Sequence, residues 1–98
     1  MGFPVILTPQ ALEDLKLIVA YIARNNPDEA RLFGNALIDR ALSIGPLPER
    51  GRMVPELGDP AVREILHGSY RIIYEVMSDP IGVYVLRFWH GARGTPEV

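Results

Sequence analysis

The sequence predicts an α+β domain in the order β-α-α-β-β-β, a helical hairpin laid on one face of a small sheet. Three observations carry this reading. Apolar residues recur at three- and four-residue spacing through residues 9–44, the period becomes that of strands from Val62 onward, and a stretch rich in proline and glycine separates the two.

Residues 3–7, FPVIL, form a short apolar run that suits one strand. A helix follows. Thr8 is its N-cap and Pro9 takes the first helical position; Leu12, Leu15, Val19 and Ile22, with Ile18 beside them, form the buried stripe, leaving Glu13, Asp14, Lys16 and Arg24 for solvent. Asn25-Asn26-Pro27 breaks this helix, because the residue before a proline is pushed out of the α region. A second helix begins at once, with Asn26 as cap, Pro27 in the first position, and Glu29 placed as in a capping box. Asp28 adds favourable charge at the same helix end, and Ala30, Phe33, Leu37, Ala41 and Ile44, joined by Leu42, give the buried stripe.

The segment GPLPERGRMVPELGDP, residues 45–60, carries four of the nine prolines and three of the nine glycines, and reads as a long surface loop. Val62–Leu66, Tyr70–Met77 and Val83–His90 are then strands separated by turns too short for anything but antiparallel neighbours. The last of them, with the run VYVLRFW, is apolar on both faces, which places it inside the sheet with Leu86 in the core. On that reading Leu86→Ala costs about 2–5 kcal/mol.

With 98 residues, the chain suits one domain spanning 1–98, near the lower size limit for a core without metal or disulfide. Zero cysteines exclude a disulfide framework and a thiolate zinc site. The two histidines, His67 and His90, lack the carboxylate spacing that would complete a ligand set, so neither a metal nor a cofactor is expected. MGFPVILTP is too short and too poor in basic residues for a signal peptide, and no apolar run reaches membrane-crossing length. The expectation is a cytoplasmic protein with no membrane partner. Ten Lys plus Arg against twelve Asp plus Glu give a net charge of −2, without the basic excess that sustained nucleic-acid binding uses. Nine of the ten cations are arginine, a residue suited to bidentate contacts with carboxylates or phosphates.

The antiparallel order brings the end of the last strand toward the beginning of the middle one, so His90 and Arg93 approach Tyr70 and Arg71, with Arg63, Glu64 and His67 nearby. Such a set has the chemistry to cleave RNA. A glutamate or histidine takes the 2′-hydroxyl proton, arginine stabilises charge on phosphorus, and a second protonatable group serves the leaving oxygen; Glu56, Arg71 and His90 are the candidates. The bland reading makes His90 a hydrogen-bonded strand end and Arg71 an ion-paired strand residue.

The string RGRMVPELGDPAVREILHGSYRIIYEV, followed by VYVLRFWHGARG, resembles the C-terminal half of RelE/ParE superfamily toxins. LTPQALEDLKLIVAYIARNNPDEARLF is similar to the helical hairpin of the ParE-like, or plasmid-stabilisation, branch, and the likeness runs from Val5 to Arg93. It implies the toxin of a type II toxin–antitoxin module, neutralised by a cognate antitoxin within a hetero-oligomer. RelE-like members are ribosome-dependent mRNA endoribonucleases, whereas ParE-like members poison DNA gyrase by binding it. Arg71 matches the arginine the ribonucleases keep on this strand, and Glu56 and His90 are similar in placement to their acid–base pair. Gly91 follows His90, however, the tail TPEV has no catalytic tyrosine, and the lysine cluster of the RelE branch is absent. The resemblance therefore favours a ParE-like inhibitor of DNA gyrase with Arg63, Tyr70 and Arg93 as binding residues. The alternatives are a RelE-like ribonuclease acting on the ribosome and mRNA, and a non-toxic homologue that only binds its partner.

Overall fold

The computed structural model describes residues 2–98. Its elements are β1 (Val5–Leu7), α1 (Pro9–Ala23), α2 (Pro27–Leu42), β2 (Arg52–Met53), β3 (Val62–His67), β4 (Tyr70–Ser78) and β5 (Ile81–His90), closed by a 3₁₀ turn over Gly91–Arg93. The sheet order is β1-β5-β4-β3-β2. β1 runs parallel to β5 and every other pairing is antiparallel. The predicted α+β class and helical hairpin are thus present, while the sheet is richer than a meander with one added strand. Arg52 and Met53 pair with Glu64 and Arg63, so the 45–60 segment contributes an edge strand.

Capping decides where both helices start. The Thr8 hydroxyl oxygen accepts from the Ala11 N–H at 3.2 Å, and the hydroxyl donates to the Val85 carbonyl at 2.8 Å, which pins the start of α1 to β5. Asn26 Oδ1 accepts from the Glu29 N–H at 3.0 Å, and Pro27 opens α2.

α1 is rotated relative to the predicted stripe. Its buried positions are Ala11, Asp14 and Ile18, so Leu12, one residue round from Ala11, faces outward. Asp14, expected in solvent, is 6% exposed. In α2 the buried line is Ala30, Gly34, Leu37 and Ala41, and Leu42 turns outward for the same reason. Gly34 lets the helices approach: a Cβ there would lie 2.8 Å from Val19 Cγ2.

Both faces of the sheet are covered. Ile18 and Leu37 of the hairpin pack on Ile72, Val85 and Phe88. On the opposite face Val54 and Leu57 of the loop pack with Val62, Ile73 and Trp89. This is the structural basis of the unbroken apolar run in β5. Leu86 falls short of its predicted place. The β4–β5 register shifts between Ile73 and Tyr74, leaving Leu86 without a cross-strand partner between Val85 and Arg87, and the side chain is half-buried.

Candidate functional site

The site residues are distributed by the two-residue alternation of β4 and β5. Tyr70 is opposite His90, and Arg71 is opposite Trp89. Neighbouring residues on a strand point to opposite faces.

On the face away from the helices, Arg71 is held by two carboxylates. Its Nε donates to Glu64 Oε1 at 2.7 Å, while Nη1 and Nη2 donate to the two oxygens of Glu56 at 2.8 and 2.7 Å. Glu64, whose side chain is 0% exposed, also accepts from Arg52 through Oε2 at 2.7 Å. Two arginines and two glutamates form a neutral chain beside a cavity of about 340 Å³ under the β3–β4 turn, lined by Arg52, Glu56, Ser69 and Arg71 among others. Direct hydrogen bonds from Arg71 lower the Glu56 carboxyl from 4.5 to about 2, and the same carboxylates raise the Arg71 guanidinium. Glu56 is therefore ionised at neutral pH and a very weak base.

On the helix face, the Tyr70 and His90 rings meet edge to face with centroids 5.0 Å apart. Phe33 of α2 lies 5.7 Å from Tyr70 and 5.8 Å from His67, extending an aromatic row. His90 Nδ1 accepts from the Ala92 N–H at 3.0 Å, capping the terminal turn. Burial raises the Tyr70 hydroxyl. A groove of about 180 Å³ runs here between α1 and β5, lined by Leu17, Ile18, Tyr21, Tyr70, His90 and Arg93 among others.

Residues 5–94 match the family described as the ParE toxin of the type II toxin–antitoxin system parDE. The chain belongs to this family. It is similar in fold to a chain of the chromosomal ParDE system of P. aeruginosa, at 17% identity and a TM-score of 0.75, covering 91% of this chain and 96% of that one. It is also similar to a chain of the toxin–antitoxin complex RelBE2 of Mycobacterium tuberculosis, at 22% identity and a TM-score of 0.65, with 92% of each chain covered. No curated protein matches the chain in sequence.

Within this ParE-family fold, the six residues singled out from the sequence fall into separate groups. Glu56 and Arg71 are joined on the loop side, and Tyr70, His90 and Arg93 gather on the helix side or at its edge. His90 is thus parted from Arg71 by the sheet itself. Arg63 belongs to neither group: it donates to the Gly51 carbonyl at 2.8 Å and pairs with Glu49 at 3.6 Å, fastening the loop. Arg93 lies 3.9 Å over the Trp89 ring at the end of β5.

Sequence reasoning set Glu64 near Arg71 without giving it a role, and passed over Arg52 and the Asp14–Arg87 pair. Glu64 and Arg52 complete the loop-side chain, and Asp14 pairs with Arg87 through Oδ2–Nε at 2.8 Å and Oδ1–Nη2 at 3.0 Å. The available signal was a charge inside an apolar stripe: Glu64 between Val62 and Leu66, and Arg87 within VYVLRFW. Among the described residues no group of three or more His, Cys, Asp or Glu is placed to hold a metal ion. No helix among them is long and apolar enough to cross a membrane.

Proposed function

We propose that this toxin acts in the cytoplasm by binding DNA gyrase, and that it does not cut RNA. The observation that carries the reading is the state of Arg71. Its Nε donates to Glu64 and both terminal nitrogens donate to Glu56, so three of its five N–H groups are committed to carboxylates and the bidentate face a scissile phosphate would use is occupied. The proposed acid–base pair is also split. A general acid and a general base must reach one substrate, whereas Glu56 and His90 lie on opposite faces of the sheet. Glu56, lowered to about 2, is a poor base for a hydroxyl proton as well.

A binding function makes different demands, which the helix-side groove meets. Leu17 and Tyr21 are exposed along one face of α1 next to the half-buried Tyr70, and Arg93 stands at the groove's end. In this reading Tyr70 and Arg93 contact a protein partner directly, and Arg63 acts by holding the loop. The cognate antitoxin neutralises the chain within a toxin–antitoxin hetero-oligomer.

The test is induced expression of the chain alone in a bacterial host. A DNA-damage response with stalled gyrase supports gyrase poisoning. Cleaved ribosome-bound transcripts, lost on His90→Ala, support a ribonuclease, and unimpeded growth supports a homologue that only binds its partner.

A further inference from the structure

We infer that His90 is a positioning residue for Arg93: its Nδ1 closes the turn that seats the Arg93 guanidinium on Trp89, and protonation of the ring opens that turn. The inference rests on the reading of the helix-side groove as the binding surface, with Arg93 as one of its contacts. The segment from His90 to Gly94 is fastened at three points. The Gly91 N–H donates to the Ser69 carbonyl at 2.8 Å, the Ala92 N–H donates to His90 Nδ1 at 3.0 Å, and the Trp89 indole N–H donates to the Gly94 carbonyl at 3.2 Å. Arg93 lies between the last two. Its guanidinium stacks 3.9 Å from the Trp89 ring centroid and, among the described residues, no carboxylate pairs with it. The turn therefore decides where this charge stands.

Of the three fasteners only the imidazole changes with a proton. A neutral ring that accepts at Nδ1 carries its hydrogen on Nε2, whereas a protonated ring has a donor at both nitrogens and no acceptor left. The Ala92 N–H then faces a second donor, and the turn loses its cap. Tyr70 of β4 meets the ring edge to face, with His67 of β3 opposite Tyr70; Asp14 and Tyr21 of α1 line the same groove, and α2 contributes Phe33, which carries no proton to exchange. Asp14 is already committed to Arg87 and the Phe88 N–H, and burial raises the Tyr70 hydroxyl. Carboxylates and phenols ordinarily change charge outside the imidazole window. The charge gained by His90 falls in the groove that Arg93 also lines, so repulsion acts together with the lost cap to move the guanidinium off Trp89.

The experiment follows the Ala92 amide, the Trp89 indole N–H and the His90 ring of the wild-type chain by NMR from about pH 8 to about pH 5, the window in which imidazoles change charge. The first two resonances should move with the His90 ring at one common midpoint. His90→Asn keeps an acceptor for the N–H two residues on and does not titrate, so both resonances should stay flat although His67 is still present. In parallel, gyrase supercoiling is measured against gyrase alone at each pH. The concentration of wild-type chain that halves it should rise about threefold or more between about pH 8 and about pH 6, the scale of one lost hydrogen bond, and should not shift with pH for His90→Asn. Ala92 and Trp89 resonances that stay fixed while the His90 ring titrates overturn the inference. So does inhibition equal at both pH values in a chain whose resonances move. The wild-type arm does not depend on the variant's folding. Resonances that follow the ring in a chain that leaves gyrase untouched at every pH uphold the switch in the turn and refute the gyrase reading alone.

Discussion

Tyr70 and His90 meet edge to face across β4 and β5, at 5.0 Å and 83°, while the next pair along, Arg71 and Trp89, faces the other way. One step along the sheet therefore separates an aromatic groove from an ionic cavity. His90→Ala should remove the ring contact and the acceptor for the Ala92 N–H, costing about 1–2 kcal/mol. The Arg71 Nε–H resonance should stay in place, and a large shift there would link the two faces.

Asp14 closes the edge of β5 beyond β1. Its Oδ2 accepts from the Phe88 backbone N–H at 3.1 Å as well as from Arg87, so one buried carboxylate serves three donors. Asp14→Ala should destabilise the chain by about 3–5 kcal/mol, because it leaves the largely buried Arg87 guanidinium without its carboxylate and the buried Phe88 N–H without an acceptor. Arg87→Met combined with it should cost less than the sum of the single changes, measured as a double-mutant cycle in denaturant.

These two cases show what was legible in the sequence. Caps and breakers act locally, and Thr8, Asn26 and Pro27 announce both helices correctly. Strand period also survives, which is why β3, β4 and β5 are found where alternation puts them. What failed depends on distant chain. Asp14 reads as solvent-facing until Arg87, 73 residues away, arrives beside it. β2 has two residues and no period of its own, so only pairing with β3 creates it. The approach of His90 to Tyr70 follows from antiparallel order, but the face each side chain takes depends on a register that sequence leaves open.

Glu56 should impose a pH dependence of known sign. Its carboxyl is lowered from 4.5 to about 2 in the folded chain, so the unfolded chain binds the proton more readily. The stabilisation is fully present above about 4.5 and is lost as pH falls toward about 2. The stability difference between wild type and Glu56→Gln should accordingly be flat from neutral pH down to about 5 and shrink below it. A difference that persists unchanged to the acid limit would contradict the Arg71 pairing.

Tyr74 ties the loop to the sheet through one hydroxyl, which accepts from the Gly51 N–H at 2.9 Å and donates to the Pro48 carbonyl at 2.8 Å. Tyr74→Phe should cost about 1–3 kcal/mol by leaving the buried Gly51 donor unmet. Gly51→Ala should also destabilise, since a Cβ there lies 2.7 Å from the Glu64 carbonyl. Denaturation midpoints equal to wild type would place the loop free of the sheet.

The most direct test of the central claim is the supercoiling activity of purified DNA gyrase titrated with the purified chain. The account predicts loss of supercoiling, undiminished with Glu56→Gln on the opposite face of the sheet and reversed by the cognate antitoxin. Undiminished supercoiling, together with cleavage of ribosome-bound mRNA by the same preparation, would contradict it.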